Sequence, residues 1–278
     1  MTAPSGALRT GSRGFPWHPL PDDAQKRARP LRRFVRAAAL VRAATRAATT
    51  FPAADASLGF AAGTTAAPRG PERSRIYALS RLFADLCAAH DWDVRVRGPV
   101  PAGPVLLVAN HVSYLDALVL AGLVPAVPIS KVEVSRWPVI GGVARRHGVL
   151  FVDRSDAASG ARILRRARSA LASGLSVLNF PEGTTSSGEQ VLPFRRGIFG
   201  LARIASVPVV PVALRFDDPE LAWHGDALFL PHYLGLLRRR ATTVHVRFGG
   251  ALTPERYGSA ADLASEARAS VEHLLGLD

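Results

Sequence analysis

Val105-Leu106-Leu107-Val108-Ala109-Asn110-His111-Val112-Ser113-Tyr114-Leu115-Asp116 joins five apolar residues to a polar turn and then to an apolar segment of helical composition. A short apolar run ending at a turn reads as a buried strand, and Tyr114 to Leu123 reads as the helix that follows it. His111 then stands at the carboxyl edge of the strand, where open α/β sheets gather their ligands. Asp116, five residues on, falls in the first helical turn and can face back to the imidazole. A carboxylate bonded to one ring nitrogen fixes the tautomer and leaves the other nitrogen to take a proton from an alcohol. A structural reading competes: Ser113 with Asp116 three residues later is a capping-box pattern, and Asn110 suits a turn.

The same alternation extends in both directions. Upstream, Ile76, Leu79, Phe83 and Leu86 recur at spacings of three and four, predicting an amphipathic helix, and Val94 to Arg97 predicts a short strand. Downstream, strands are predicted at 149–152, 175–180, 209–215 and 243–248, and helices at about 157–172, 197–205 and 260–275. Strands alternating with helices predict an α/β domain, a central mixed sheet flanked by helices.

Composition agrees with a globular chain of 278 residues, 48% hydrophobic and 21% charged. The net charge of +13 is concentrated at the N-terminus: residues 1–70 hold 11 Lys and Arg against 3 Asp and Glu. The first 30 residues, rich in Pro, Gly, Ser and Arg, have the composition of a disordered tail. Leu31 to Thr49 has the composition of a basic amphipathic helix, suited either to anionic lipid or to packing against the domain. Residues 52–71 read as a linker, which divides the chain into a basic extension, 1–71, and a folded domain, 72–278. Between Asp23 and Asp55 stand eight basic residues and no acidic one.

Cys87 is the single cysteine, and no paired Cys or Cys/His spacing suggests a metal. The stretches 98–115 and 117–130 lack charge but contain prolines, so neither reads as a membrane span. No basic region followed by an apolar core opens the chain, which argues against secretion and for a cytoplasmic protein. Such charge favours an anionic partner. A nucleic acid is the weaker choice, because the excess lies in the tail and only 7% of residues are aromatic.

Three further blocks follow the His111 turn in order: Gly148-Val149-Leu150-Phe151-Val152-Asp153-Arg154, Phe180-Pro181-Glu182-Gly183-Thr184-Thr185-Ser186, and Val207-Pro208-Val209-Val210-Pro211-Val212-Ala213-Leu214. Together the four blocks resemble the glycerolipid acyltransferase family that includes the 1-acylglycerol-3-phosphate acyltransferases, over roughly residues 75–275. The resemblance implies that fold, with His111 as general base on the acceptor hydroxyl and Asp116 orienting the ring. It implies substrate contacts from Asn110, Arg154, Glu182, Gly183, Thr184 and Thr185. No cofactor or metal is implied; acyl-CoA or acyl-ACP (acyl carrier protein) is the co-substrate, a lyso-lipid the acceptor, and the inner face of the cell membrane the place of work. A thioesterase would use the same His and Asp on water.

One position departs from the family pattern. Enzymes acting on lysophosphatidic acid usually carry Arg where this chain has Thr185, and a guanidinium grips phosphate bidentately where a hydroxyl offers one neutral donor. A lyso-ornithine lipid or a head-group-substituted lysophospholipid is therefore an alternative acceptor, unless Arg195 and Arg196 compensate. Trp223 to Leu237, followed by Arg238, Arg239 and Arg240, reads either as core or as a membrane-facing apolar surface with a basic rim.

Overall fold

The apolar runs pair side by side because buried strands must satisfy their backbone donors and acceptors. In the computed structural model, residues 70–276 other than 226, 238 and 240 are described. The basic tail, the segment 31–49, the linker up to residue 69 and the side chains of Arg238 and Arg240 lie outside the described residues. The first helix, α1, spans Pro71–Ala89, with proline at its first position, where the missing N–H costs nothing. In chain order follow β1 (Asp93–Arg97), β2 (Leu106–Ala109), α2 (Leu115–Leu123), β3 (Ala126–Lys131), α3 (Ile140–Arg146) and β4 (Leu150–Val152). Then come α4 (Ala157–Ala172), β5 (Ser176–Asn179), α5 (Gly197–Ala205), β6 (Val209–Phe216), α6 (Phe229–Leu236), β7 (Thr243–Phe248) and α7 (Ala260–Leu275).

The strands form one sheet in the order β1-β7-β6-β2-β5-β3-β4. The β6–β7 pairing is antiparallel, and the other strand pairs are parallel. The sheet is thus mixed, as expected from the sequence. Strand β2 lies at its centre, with Leu106 opposite both Val177 of β5 and Val209 of β6. All four β2 residues are buried, since helices cover both faces of a mainly parallel sheet.

Alternation along β2 divides the core. Leu107 and Ala109 join Leu115, Val119 and Leu120 of α2 on one face, together with Val212 and Leu214 of β6. Leu106 and Val108 join Ile163 and Leu171 of α4, Phe199 of α5 and Leu263 of α7 on the other. Three elements were not anticipated from the sequence. Strand β3 carries Pro128, yet it pairs with β5 and β4; helix α3 contains Gly141 and Gly142; and helix α6 contains Pro231.

Phe199 is fully buried at the centre of the second face. Phe199→Ala is expected to lower unfolding free energy by about 3–5 kcal/mol, from lost transfer energy plus the cavity left behind. Equilibrium urea denaturation followed by far-UV circular dichroism measures the change.

Candidate functional site

Strands β2 and β5 are parallel neighbours, so the segments leaving their carboxyl ends emerge side by side. The segment after β2 brings Asn110 to Asp116, and the one after β5 brings Phe180 to Ser186. Three contacts tie them together. The His111 N–H donates to Glu182 Oε1 at 2.7 Å, the Ser186 N–H donates to the His111 carbonyl at 2.9 Å, and the His111 ring stacks on Phe180 with centroids 4.1 Å apart.

Asp116 occupies the first turn of α2 and is fully buried. Its Oδ2 lies 2.8 Å from His111 Nδ1 and accepts the N–H groups of Val112 at 2.8 Å and Ser113 at 2.9 Å. The capping pattern and the His-Asp pair read from the sequence are therefore one arrangement: the same oxygen satisfies the turn and holds the ring. In the neutral imidazole this geometry places the proton on Nδ1, directed at the carboxylate, and leaves Nε2 as the basic nitrogen. The ring is 18% exposed, enough for one edge to meet a substrate, and among the described residues nothing is bonded to Nε2.

Asn110 and Glu182, expected as substrate contacts, both bond to the backbone of neighbouring segments. Both ends of the Asn110 amide clasp β6: Nδ2 donates to the Leu214 carbonyl, and Oδ1 accepts from the Leu214 N–H, each at 2.9 Å. Glu182 is 4% exposed, and its second oxygen accepts the Leu192 N–H at 3.0 Å. Burial raises its carboxyl above the usual range, opposed by the two backbone donors and the nearby His111. The geometry of these two residues is that of staples between the segments that carry the site.

Gly183 has φ of +79°, a region that favours glycine, and a side chain added there would collide with the Arg195 guanidinium. Arg154, after β4, reaches back across the sheet edge to donate to the Gly183 carbonyl. Partial burial and the neighbouring Arg195 charge both lower the Arg154 pKa. Two guanidiniums are thus held beside one turn, a few residues from His111. The sequence pointed to each Arg singly; that they converge on Gly183 is a tertiary fact. Thr184 is exposed, with its hydroxyl 3.5 Å from the Thr185 carbonyl, and Thr185 is half-buried.

A cleft of about 510 Å³ opens beside Asn110, Val112 and Leu214, lined also by Arg215, Asp218 and Glu272. It adjoins the His111 turn from the β6 side. Among the described residues no group of three or more His, Cys, Asp or Glu side chains is placed to hold a metal ion.

A family model described as Acyltransferase matches residues 93–215, which include β1 to β5, most of β6, the His111–Asp116 pair, Arg154, Gly183 and Arg195. The lyso-ornithine lipid O-acyltransferase of Pseudomonas aeruginosa is 35% identical over 77% of this chain and 86% of its own length. The 1-acyl-sn-glycerol-3-phosphate acyltransferase of Neisseria meningitidis is 37% identical over 54% of this chain and 59% of its own. The crystal structure of the 1-acyl-sn-glycerophosphate (LPA) acyltransferase PlsC from Thermotoga maritima matches with a TM-score of 0.58, covering 91% of this chain and 96% of that one. At 21% identity it is a likeness of fold. With the His111, Arg154 and Glu182 blocks meeting at one sheet edge and a relative 35% identical matched over most of both chains, this protein belongs to the acyltransferase family.

Proposed function

We propose that this acyltransferase moves a fatty acyl group from acyl-CoA or acyl-ACP to the hydroxyl of a lyso-glycerolipid, in the manner of a 1-acyl-sn-glycerol-3-phosphate acyltransferase, working at the inner face of the cell membrane. The observation that carries the reading is the His111–Asp116 pair with two arginines beside the adjoining turn. His111 Nε2 takes the proton of the acceptor hydroxyl as its oxygen attacks the thioester carbonyl. The carbon–sulfur bond then breaks, and the imidazolium returns its proton to the departing thiolate. Asp116 holds the ring and stabilises its charged form. The reaction needs no acyl-enzyme, which agrees with the burial of Cys87, whose thiol is pushed up to about 12.

Arg154 and Arg195 support an anionic head group. Two like charges side by side repel one another, and an anion between them relieves that repulsion while accepting charge-assisted hydrogen bonds. A second acceptor class is supported by Thr185 and by the lyso-ornithine lipid enzymes of Pseudomonas aeruginosa and Brucella abortus, 35% and 36% identical to this chain. A lyso-ornithine lipid offers a single carboxylate, for which one or two arginines suffice. Incubating the purified protein with acyl-CoA or acyl-ACP and a panel of lyso-lipids, then separating the lipid products, distinguishes the two. Acyl release without consumption of any lyso-lipid would instead show a thioesterase.

His111→Ala is expected to lower acyl transfer by about 100- to 10,000-fold, the range of general-base catalysis, while circular dichroism stays native. Asp116→Asn keeps an oxygen for the backbone donors but removes the charge, and a rate loss of a similar order is expected in single-turnover assays. Activity of His111→Ala within a few-fold of wild type would refute the mechanism.

Thr185→Arg adds a guanidinium beside Gly183. It is expected to raise turnover of lysophosphatidic acid relative to lyso-ornithine lipid by about tenfold or more, the worth of one charge-assisted hydrogen bond. Competition assays with both acceptors give the ratio, and an unchanged ratio shows that position 185 does not face the head group.

A further inference from the structure

Helix α6 is apolar on more sides than the core can use. Phe229 and Tyr233 pack inward, with rings stacked at 5.7 Å, and Leu236 is buried. Leu228, at the helix start, is 72% exposed, Leu230 is 61% and Leu234 is 48%. Isolated surface leucines are ordinary, but these continue into a second element. The Trp137 ring stacks on Phe229 with centroids 4.3 Å apart, and Trp137 opens the turn Trp137-Pro138-Val139 before α3. Val139 is 74% exposed and has φ of +64°. The Ile140 N–H bonds to the Pro138 carbonyl across it at 2.7 Å. A β-branched residue in this left-handed γ-turn is strained, and the strain holds an apolar side chain out at the apex.

This surface adjoins the reaction centre. Tyr114, three residues after His111, sets its ring edge-on to those of Trp137, Trp223 and Phe229, and its hydroxyl lies 3.0 Å from His232 of α6. The Trp223 backbone N–H donates to the Val112 carbonyl at 2.7 Å, inside the catalytic turn. Basic residues flank the Trp137 turn in the chain, as a bilayer-facing surface requires. Between Lys131 and Arg146 stand Lys131, Arg136, Arg145 and Arg146 against Glu133 alone. Lys131 lies over the Trp223 ring, 5.3 Å from its centroid, and Arg136 and Arg145 are exposed. The basic rim expected at 238–240 is different in kind at Arg239, which pairs with Asp218 and Glu220.

We infer that Leu228, Leu230 and Leu234 of α6 together with the Trp137–Val139 turn form the face by which this protein seats on an anionic lipid bilayer, with the basic strip at the head-group level. Apolar side chains ringed by Arg, Lys and Trp suit the boundary between acyl chains and head groups. The inference rests on the proposed lyso-lipid acceptor. A bilayer-borne acceptor then meets His111 beside the aromatic wall without leaving the membrane.

The test uses the full chain with vesicles of phosphatidylcholine and phosphatidylglycerol. L230E/L234E is expected to bind these vesicles at least about tenfold more weakly than wild type, since each removes a leucine from lipid and brings a negative charge to an anionic surface. Activity on a short-chain lyso-lipid dispersed in detergent should stay within twofold. That second assay separates the two proposals: no activity in wild type on any lyso-lipid defeats the acceptor reading, whereas unaltered vesicle sedimentation of L230E/L234E defeats this one. Should the double variant fail to fold, L230C carrying an environment-sensitive fluorophore reports the same face, because Cys87 is buried. A blue shift on adding vesicles, absent for a probe at S169C on α4 across the sheet, is expected. Emission already blue without vesicles and indifferent to them would show the face covered by residues 1–69. A blue shift that grows with protein concentration alone would show a second copy there; either outcome overturns the inference.

Discussion

One oxygen atom organises this site. Asp116 Oδ2 receives two backbone N–H groups and faces the His111 ring nitrogen, all within 2.9 Å. Each of the three needs the carboxylate at the same point, so the turn between β2 and α2 cannot relax without moving the imidazole. A buried carboxylate is costly unless it is hydrogen-bonded and paired, and here the groups that stabilise it are the groups it positions. Its other oxygen, Oδ1, is buried without a hydrogen-bond partner among the described residues, so the arrangement rests on Oδ2.

The sheet turns this local device into a site. With β2 between β5 and β6, the turn is clamped from both sides: Glu182 holds the His111 backbone from the β5 side, and Asn110 holds Leu214 on the β6 side. Phe180 supports the face of the ring. Arg154 comes from β4, beyond β3 in strand order, yet still reaches the Gly183 carbonyl. The ligand-bearing edge therefore runs across five parallel strands, from β6 to β4, with the proton-transfer pair after β2 and the cationic groups beside the turn after β5.

Much of this was legible in the chain. The apolar run 105–109 and the alternation of strands and helices gave the fold class, because burial on both faces leaves a continuous apolar strand. The spacing from His111 to Asp116 put the pair on one turn. What escaped was decided by tertiary contact. Strand β3 contains Pro128, which argues against a central strand from sequence alone. In α6, Pro231 and Gly235 obscure the helix, and the segment's two readings, core and surface, are each true of different residues: Tyr233 and Leu236 face the core, whereas Leu230 and Leu234 do not. Asn110 and Glu182 stood out as polar residues in the right blocks, but their bonds to Leu214 and Leu192 depend on partners 104 and 10 residues away. No local pattern encodes such pairs.

The central claim is that Asp116 fixes His111 with its proton on Nδ1 and its Nε2 bare toward the substrate. Nitrogen-15 NMR of protein labelled in the histidine ring reads this directly, the His111 signals being assigned by their loss in His111→Ala. The account predicts, for the neutral ring, a protonated Nδ1 and an unprotonated Nε2, with that preference lost in Asp116→Asn. A neutral ring carrying its proton on Nε2 in the wild-type protein would contradict it.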